Sequence, residues 1–321
     1  MNATFETPRS EMRTRMHRFL PFAQPTAAMC LAVIGALTFS AVSAAGTYST
    51  GFEDPPFSTG SINAQDGWTA TGASYEQEVV NTVAHSGTQS FFRNNNVVSG
   101  SFGDQPFSAP LPGGEAAGES TAVGVTAGLN QTEFSTWFRA GDTTGPDGSF
   151  VSLSATDATG SRMNYIGIAN TDAGGLTLNA YDTTSNGFGN AANFNQFSLT
   201  GTPLDRTAWH ELRVVTTFQD GPANDVVEYY VDGSLEATIG SWEDYYLDDP
   251  EQAGNGNQLY AVDRVWFGTR AAPSAYGFTT GDALGIYFDD FSLSASAVPE
   301  PATATLLGLT LLGCAAYVRR R

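Results

Sequence analysis

Short runs of alternating apolar and polar residues fill the middle of this 321-residue chain, and clusters of Gly, Asn and Asp separate them. This pattern predicts many short antiparallel strands, as in a sandwich or barrel, rather than long helices. The expected strands span residues 75–80, 131–139, 149–156, 162–169, 176–181, 209–218, 226–231, 235–239, 259–269 and 285–293.

The clearest hairpin signal lies at Asp232-Gly233. Val227, Tyr229 and Val231 alternate with other residues before it, as in a half-buried strand. Because Asp-Gly accepts the positive φ angles of a two-residue turn, the chain is expected to reverse there and return as a second strand.

The first 45 residues have the order of a secretory signal peptide: a basic front, an apolar run over 27–39 and small residues over 40–45. We therefore expect signal peptidase to cleave after Ala44 or Ala45. A stable N-terminal anchor is the alternative.

Residues 298–321 combine a Pro-Glu-Pro motif, an apolar run over 302–318 and a basic end. The motif is Pro299, Glu300 and Pro301, and the basic end is Arg319, Arg320 and Arg321. Seventeen helical residues extend about 25 Å, a minimal membrane span, and the arginines would stay cytoplasmic. The predicted element is a single C-terminal transmembrane helix.

This order resembles the PEP-CTERM sorting signal. The resemblance implies that an exosortase processes the C-terminus, that the chain is membrane-anchored before processing, and that it then reaches the cell surface or an exopolysaccharide matrix. An ordinary single-span tail anchor is the alternative.

Three segments of the middle resemble concanavalin A-like (laminin-G-like) jelly-roll domains. One is a Trp-His strand at Trp209 followed by a strand ending Val-Asp-Gly at Gly233. The others are Gly-Phe-Glu-Asp at 51–54 and the alternating run at 286–293. The resemblance implies an all-β, antiparallel jelly-roll β-sandwich over residues 46–297, with its first and last strands as neighbours.

The excess of acidic residues in this exported region limits the partners that we expect it to bind. Residues 46–297 contain seven arginines and 30 acidic residues, and the whole chain has no lysine. Such a surface repels phosphates, so we expect no nucleic-acid partner. With two histidines and no cysteine in this region, calcium is favoured over zinc as a bound metal.

The expected calcium ligands come from both ends of the sandwich: Glu53, Asp54, Asp289 and Asp290. They would lie together if the terminal strands pair, and similar carbohydrate-binding modules hold a structural calcium between such pairs. Asp289 is two residues from both Tyr287 and Phe291, so the two-residue period of a strand would place it on the same apolar face as these rings. The alternative is a solvated strand end, or carboxylates that accept backbone N–H bonds.

The sequence lacks the catalytic motif expected of a glycosidase with this fold. Glycosidases need two carboxylates at a fixed separation, and the laminarinase-like branch of this fold carries them as Glu-x-Asp-x-x-Glu, which does not occur here. We therefore expect a non-catalytic protein, with a glycoside hydrolase or polysaccharide lyase less favoured.

A polysaccharide site is expected in the segment 241–249, interpreted as a loop after a completed hairpin. Its candidate sugar-binding rings are Trp242, Tyr245 and Tyr246. The alternative is a packed cluster that covers the sandwich edge in a purely structural or adhesive matrix protein. Exposed Trp242 and Tyr245 rings over a concave sheet would favour glycan binding, and rings packed inward would favour the structural role.

Overall fold

The computed structural model describes residues 46–70, 76–98, 105–269 and 271–298. Its strands are β1 Gly46–Thr50, β2 Gly60–Ser61, β3 Gln77–Val80, β4 Ser90–Arg93, β5 Gln131–Ala140, β6 Ser149–Thr156, β7 Ile166–Asp172, β8 Gly175–Thr184, β9 Asn193–Ser198, β10 His210–Thr217, β11 Val226–Val231, β12 Ser234–Ile239, β13 Arg264–Gly268 and β14 Ile286–Ser296. One α-helix, α1, spans Glu243–Asp248, and 3-10 helices span Pro112–Gly114, Pro250–Asn255 and Pro273–Tyr276.

The predicted signal peptide, the Pro-Glu-Pro motif and the predicted C-terminal helix all lie outside the described residues. Among those described, no helix is long and apolar enough to cross a membrane.

The described strands form two antiparallel sheets. The nine-stranded sheet runs β12-β11-β10-β5-β14-β4-β3-β2, with β1 also paired to β14, and the five-stranded sheet runs β13-β6-β7-β8-β9. The pairing of Gly46 with Ala295 and of Thr50 with Phe291 makes the first and last strands neighbours, as predicted. The all-β antiparallel fold class is confirmed.

The core lies between the two sheets. Fully buried Phe138 of the large sheet and Val151 of the small sheet belong to one apolar cluster. Phe267 bridges the layers, with its ring 5.2 Å from Phe288 and 5.5 Å from Phe91. Burying a ring of this size contributes about 1.5–3 kcal/mol, so this aromatic contact is a main source of cohesion between the sheets.

The hairpin prediction at Asp232-Gly233 is confirmed. Asp232 has a φ of 49° and Gly233 a φ of 78°, and β12 returns directly alongside β11. The left-handed conformation at Gly233 carries little steric penalty because glycine has no Cβ.

A bulge in β14 makes one predicted alternation wrong. The pairing with β5 shifts register directly after Asp289, and Asp290 takes a φ of 45°. As a result Phe288 and Phe291 both pack into the core, while Tyr287 lies on the opposite face and does not share a face with Phe291. A bulge adds one residue, which reverses the two-residue period beyond it.

Several predicted elements have different bounds or a different type. β7 begins at Ile166 rather than 162, and β13 begins at Arg264 rather than 259. Residues 259–263 form only single bridges, to Ala117 and Val123, and not a continuous strand. Leu259, Ala261 and Val262 are nevertheless buried, which explains why the sequence pattern predicted a strand there. Segment 241–249, predicted as a loop, contains α1.

Candidate functional site

The candidate site lies on the outer face of the five-stranded sheet. Strand β6 alternates, with Val151 and Leu153 in the core and Ser152 and Ser154 on the opposite face. That outer face also carries Tyr165, whose hydroxyl hydrogen-bonds Ser152. β6 is buried on both faces because aromatic residues cover the outer one.

Trp242 covers this face from the residue before α1. Its ring stacks on Tyr165 with centroids 5.4 Å apart and planes at 16°. Its indole N–H donates a hydrogen bond of 2.8 Å to the carbonyl oxygen of Tyr181. The guanidinium of Arg162 lies 5.1 Å from the Trp242 ring and 5.8 Å from the Trp266 ring, which is within the range of cation–π attraction.

Helix α1 holds two further rings in place. The hydroxyl of Tyr245 donates a 3.0 Å hydrogen bond to Oε2 of Glu251, and the hydroxyl of Tyr246 accepts one from the backbone N–H of Arg162. Burial raises the pKa of Tyr246 to about 12, so its hydroxyl stays protonated at neutral pH.

These residues surround a pocket of about 760 Å³. Its aromatic lining consists of Phe150, Tyr165, Tyr181, Phe194, Trp242, Tyr245, Tyr246, Tyr260 and Tyr276, and its polar lining includes Thr159, Ser161, Arg162, Glu251, Gln252 and Asn255. The structure therefore brings the three predicted rings into one pocket with side chains from distant strands.

The three predicted rings pack inward. Trp242 is 3% exposed, Tyr245 5% and Tyr246 3%, so by the criterion set from the sequence their packing favours the structural role. Phe194 of β9 is instead 50% exposed, and its centroid lies 5.1 Å from that of Trp242. Sequence reasoning missed Phe194 because every residue of β9 is exposed and the strand has no alternation.

The four predicted calcium ligands divide into two groups. Glu53, Asp289 and Asp290 surround the loop 85–89, whereas Asp54 is exposed and makes no hydrogen bond that links it to them. The buried carboxylate of Asp289 accepts backbone N–H bonds from His85 at 2.7 Å and Ser86 at 3.1 Å. Burial raises the pKa of Asp289 to about 6, although these hydrogen bonds act in the opposite direction.

Glu53 accepts two backbone N–H bonds, from Thr88 at 2.7 Å and Gln89 at 2.9 Å. Partial burial would raise its pKa, but these bonds outweigh burial and hold the pKa below its usual range. In this arrangement the carboxylates tie a loop to the terminal strands through hydrogen bonds. Whether they also bind calcium stays a prediction.

Within the described ranges a different carboxylate group has the spacing of metal ligands. Oxygen atoms of Glu119, Asp225 and Glu243 all lie within 4.8 Å of one another, and all three side chains are buried. No local sequence pattern points to this group because its members are far apart along the chain.

Two tryptophans, Trp137 of β5 and Trp209 next to β10, pack against His85 beside the large sheet. The ring of His85 stacks on Trp137 with centroids 4.0 Å apart and packs edge-on against Trp209 at 5.6 Å. The same imidazole hydrogen-bonds the carboxylate of Asp290 at 2.7 Å. Trp137 of β5 and Trp209, directly before β10, are half-buried, whereas Trp266 of β13 is fully buried.

Comparison with known proteins gives a match at the C-terminus. Residues 297–321 match the PEP-CTERM protein-sorting motif. A search of curated protein sequences found no significant match.

Several solved structures are similar to this chain at low sequence identity. An endo-1,3-beta-glucanase from Streptomyces sioyaensis is similar at 10% identity and a TM-score of 0.43, over 79% of this chain and 98% of that one. The cellulose induced protein Cip1 is similar at 19% identity and a TM-score of 0.36, over 77% of this chain and 96% of that one. A sialidase is similar at 9% identity and a TM-score of 0.36, over 72% of this chain, which spans only 16% of the sialidase. We infer no activity or substrate from these likenesses.

The chain therefore carries an antiparallel β-sandwich followed by a PEP-CTERM protein-sorting motif, which implies export, C-terminal membrane anchoring and processing by an exosortase.

Proposed function

We propose that this chain is an exported, non-catalytic protein of the cell surface or extracellular matrix whose aromatic pocket binds polysaccharide. The sandwich is interpreted as a jelly roll of the concanavalin A-like type. The observation that carries the proposal is the pocket of about 760 Å³ on the outer face of the small sheet, lined by aromatic rings and polar side chains.

The lining has the chemistry that a sugar requires. Aromatic faces pack against the C–H faces of a pyranose, and carboxylate, amide and guanidinium groups pair with its hydroxyls. Phe194 supplies an accessible ring at the pocket, while Glu251, Gln252 and Arg162 supply polar groups. The packed rings of Trp242 and Tyr245 serve as its wall.

The lining also supports a role without catalysis. Glu251 is the one carboxylate among the described residues that line the pocket. Hydrolysis of a glycosidic bond normally uses a pair of carboxyl groups separated by about 5–9.5 Å. Binding without bond cleavage is thus the simpler use of this site.

A purely structural role in the matrix is the second candidate. The observation that favours it is the inward packing of Trp242, Tyr245 and Tyr246, each at most 5% exposed. In that case the pocket would be a packing feature with no ligand.

The test uses the full chain in a mild detergent, applied to a glycan array and to polysaccharide from the matrix of the producing cells. Wild type should bind at least one polymer. Phe194→Ala should weaken binding about 2- to 12-fold, the value of one aromatic contact. Phe188→Ala is the matched control, because Phe188 is 76% exposed and does not line the pocket.

Two outcomes would contradict the proposal. Absence of binding to every polymer would favour the structural role. Release of reducing sugar from a bound polymer would show that the protein is catalytic.

A further inference from the structure

Three buried carboxylates meet at the junction between α1 and two loops. Glu119 lies on the connection between β4 and β5, Asp225 directly precedes β11, and Glu243 is the first residue of α1. They are 5%, 6% and 2% exposed. One oxygen of each lies within 4.8 Å of the others, which matches oxygens bound to a central ion at about 2.4 Å.

Two of the carboxylates have buried oxygens without any hydrogen-bond partner, Oε1 of Glu119 and Oε1 of Glu243. An unpaired buried carboxylate oxygen is strongly unfavourable, so such atoms are rare unless a ligand binds them. This observation is separate from the spacing and points to a missing partner, either a bound cation or a proton shared between the carboxyl groups of Glu119 and Glu243.

Hydrogen bonds from the protein fix the other oxygens of Asp225 and Glu243. Asp225 accepts hydrogen bonds from the backbone N–H of Gln219 at 2.9 Å and from the hydroxyl of Ser241 at 2.6 Å. Oε2 of Glu243 accepts one from the backbone N–H of Ala223 at 2.9 Å. The carboxylates of Asp225 and Glu243 are therefore held in position.

The chain has no lysine, and the arginines that form ion pairs within the described ranges, Arg213 and Arg264, contact other carboxylates, Glu133 and Asp263.

We propose that Glu119, Asp225 and Glu243 form a calcium-binding site that fastens α1 to the β10–β11 loop and to the segment around Glu119. Oxygen-only donors suit calcium, and an exported protein meets calcium at concentrations that weak extracellular sites can use. Zinc is disfavoured because no His or Cys belongs to the group.

The site would act on the pocket wall. Glu243 directly follows Trp242, and α1 carries Tyr245 and Tyr246. Calcium would thus hold these three rings in their packed positions. The assignment does not depend on the proposed polysaccharide binding, and its test measures no glycan.

The experiment titrates calcium chloride into the EDTA-treated, dialysed full chain in detergent, with calorimetry and thermal melting as readouts. We expect a dissociation constant of about 0.1–1 mM. Calcium at about one hundred times its dissociation constant should raise the melting temperature by about 5–10 °C. Glu119→Gln and Glu243→Gln should each weaken binding about tenfold or more, and both variants should fold because they remove repulsion.

Glu236→Gln is the matched control, because Glu236 is exposed on β12 and belongs to neither carboxylate group. It should keep the full calcium response. The proposal is overturned if wild type gives neither heat nor a melting shift, if Glu243→Gln responds like wild type, if Glu236→Gln loses the response, or if magnesium chloride binds as tightly as calcium.

Discussion

Replacing Glu243 by Gln should change how the calcium-free protein responds to pH. Burial, followed by the charges of Asp225 and Glu119, raises the pKa of Glu243 from 4.5 to about 8. A raised pKa means that the folded protein binds the proton more tightly than the unfolded chain. The stability from that proton is complete below pH 4.5 and is lost as the pH rises through about 8.

The magnitude follows from the size of the shift. Between pH 6.5 and 8 the unfolded carboxyl is ionised while the folded one still binds its proton. Each pH unit then removes about 1.4 kcal/mol from the free energy of unfolding. The expected loss over this window is about 2 kcal/mol for Glu243, and Glu119, with a pKa of about 7, adds a smaller part. Asp289, with a pKa of about 6, has largely titrated before the window begins.

The assay is guanidinium unfolding in EDTA, followed by tryptophan fluorescence at pH 6.5 and 8. Wild type should lose about 2 kcal/mol or more between the two conditions, and Glu243→Gln should lose about 2 kcal/mol less than wild type. Glu236→Gln on β12 is the matched control, since Glu236 is exposed and should leave the wild-type loss unchanged. Equal losses in wild type and Glu243→Gln would refute the reasoning.

Three further predictions address the fold and its processing. Asp289→Ala leaves the backbone N–H groups of His85 and Ser86 without their acceptor and should lower the free energy of unfolding by about 2–4 kcal/mol; denaturant titration measures this, and a loss below 0.5 kcal/mol would contradict it. Phe267→Ala should lower it by about 3–5 kcal/mol in the same assay, because a buried ring between the sheets is removed; near-wild-type stability would show that the cavity collapses. Changing Pro299, Glu300 and Pro301 together to Ala should leave an unprocessed, membrane-retained form on an immunoblot of cell fractions, whereas normal processing would argue against the motif as the exosortase signal.

The fold was largely predictable from local pattern. Two-residue alternation located the hairpin around Asp232-Gly233 and the central strands, because burial of one face imposes that period. The strands β2, β4 and β9 are absent from the predicted set. β9 escaped because both of its faces are exposed, and the bulge at Asp290 escaped because nothing in the local sequence marks the extra residue.

The candidate site was predictable only in part. The aromatic residues around Trp242 could be recognised in the sequence because segment 241–249 is rich in them. Their inward packing and their contacts with Tyr165 and Phe194 depend on sheet pairing between distant strands. The meeting of Glu119 with Glu243 likewise depends on tertiary structure, so no spacing along the chain could reveal it.

The central claim is that the pocket of this exported sandwich binds polysaccharide, and the most direct measurement is the affinity of wild type, Phe194→Ala and Phe188→Ala for the best polymer on the array. We predict that Phe194→Ala binds about 2- to 12-fold more weakly than wild type while Phe188→Ala binds equally well. Equal affinity of all three proteins, or no affinity at all, would contradict the claim.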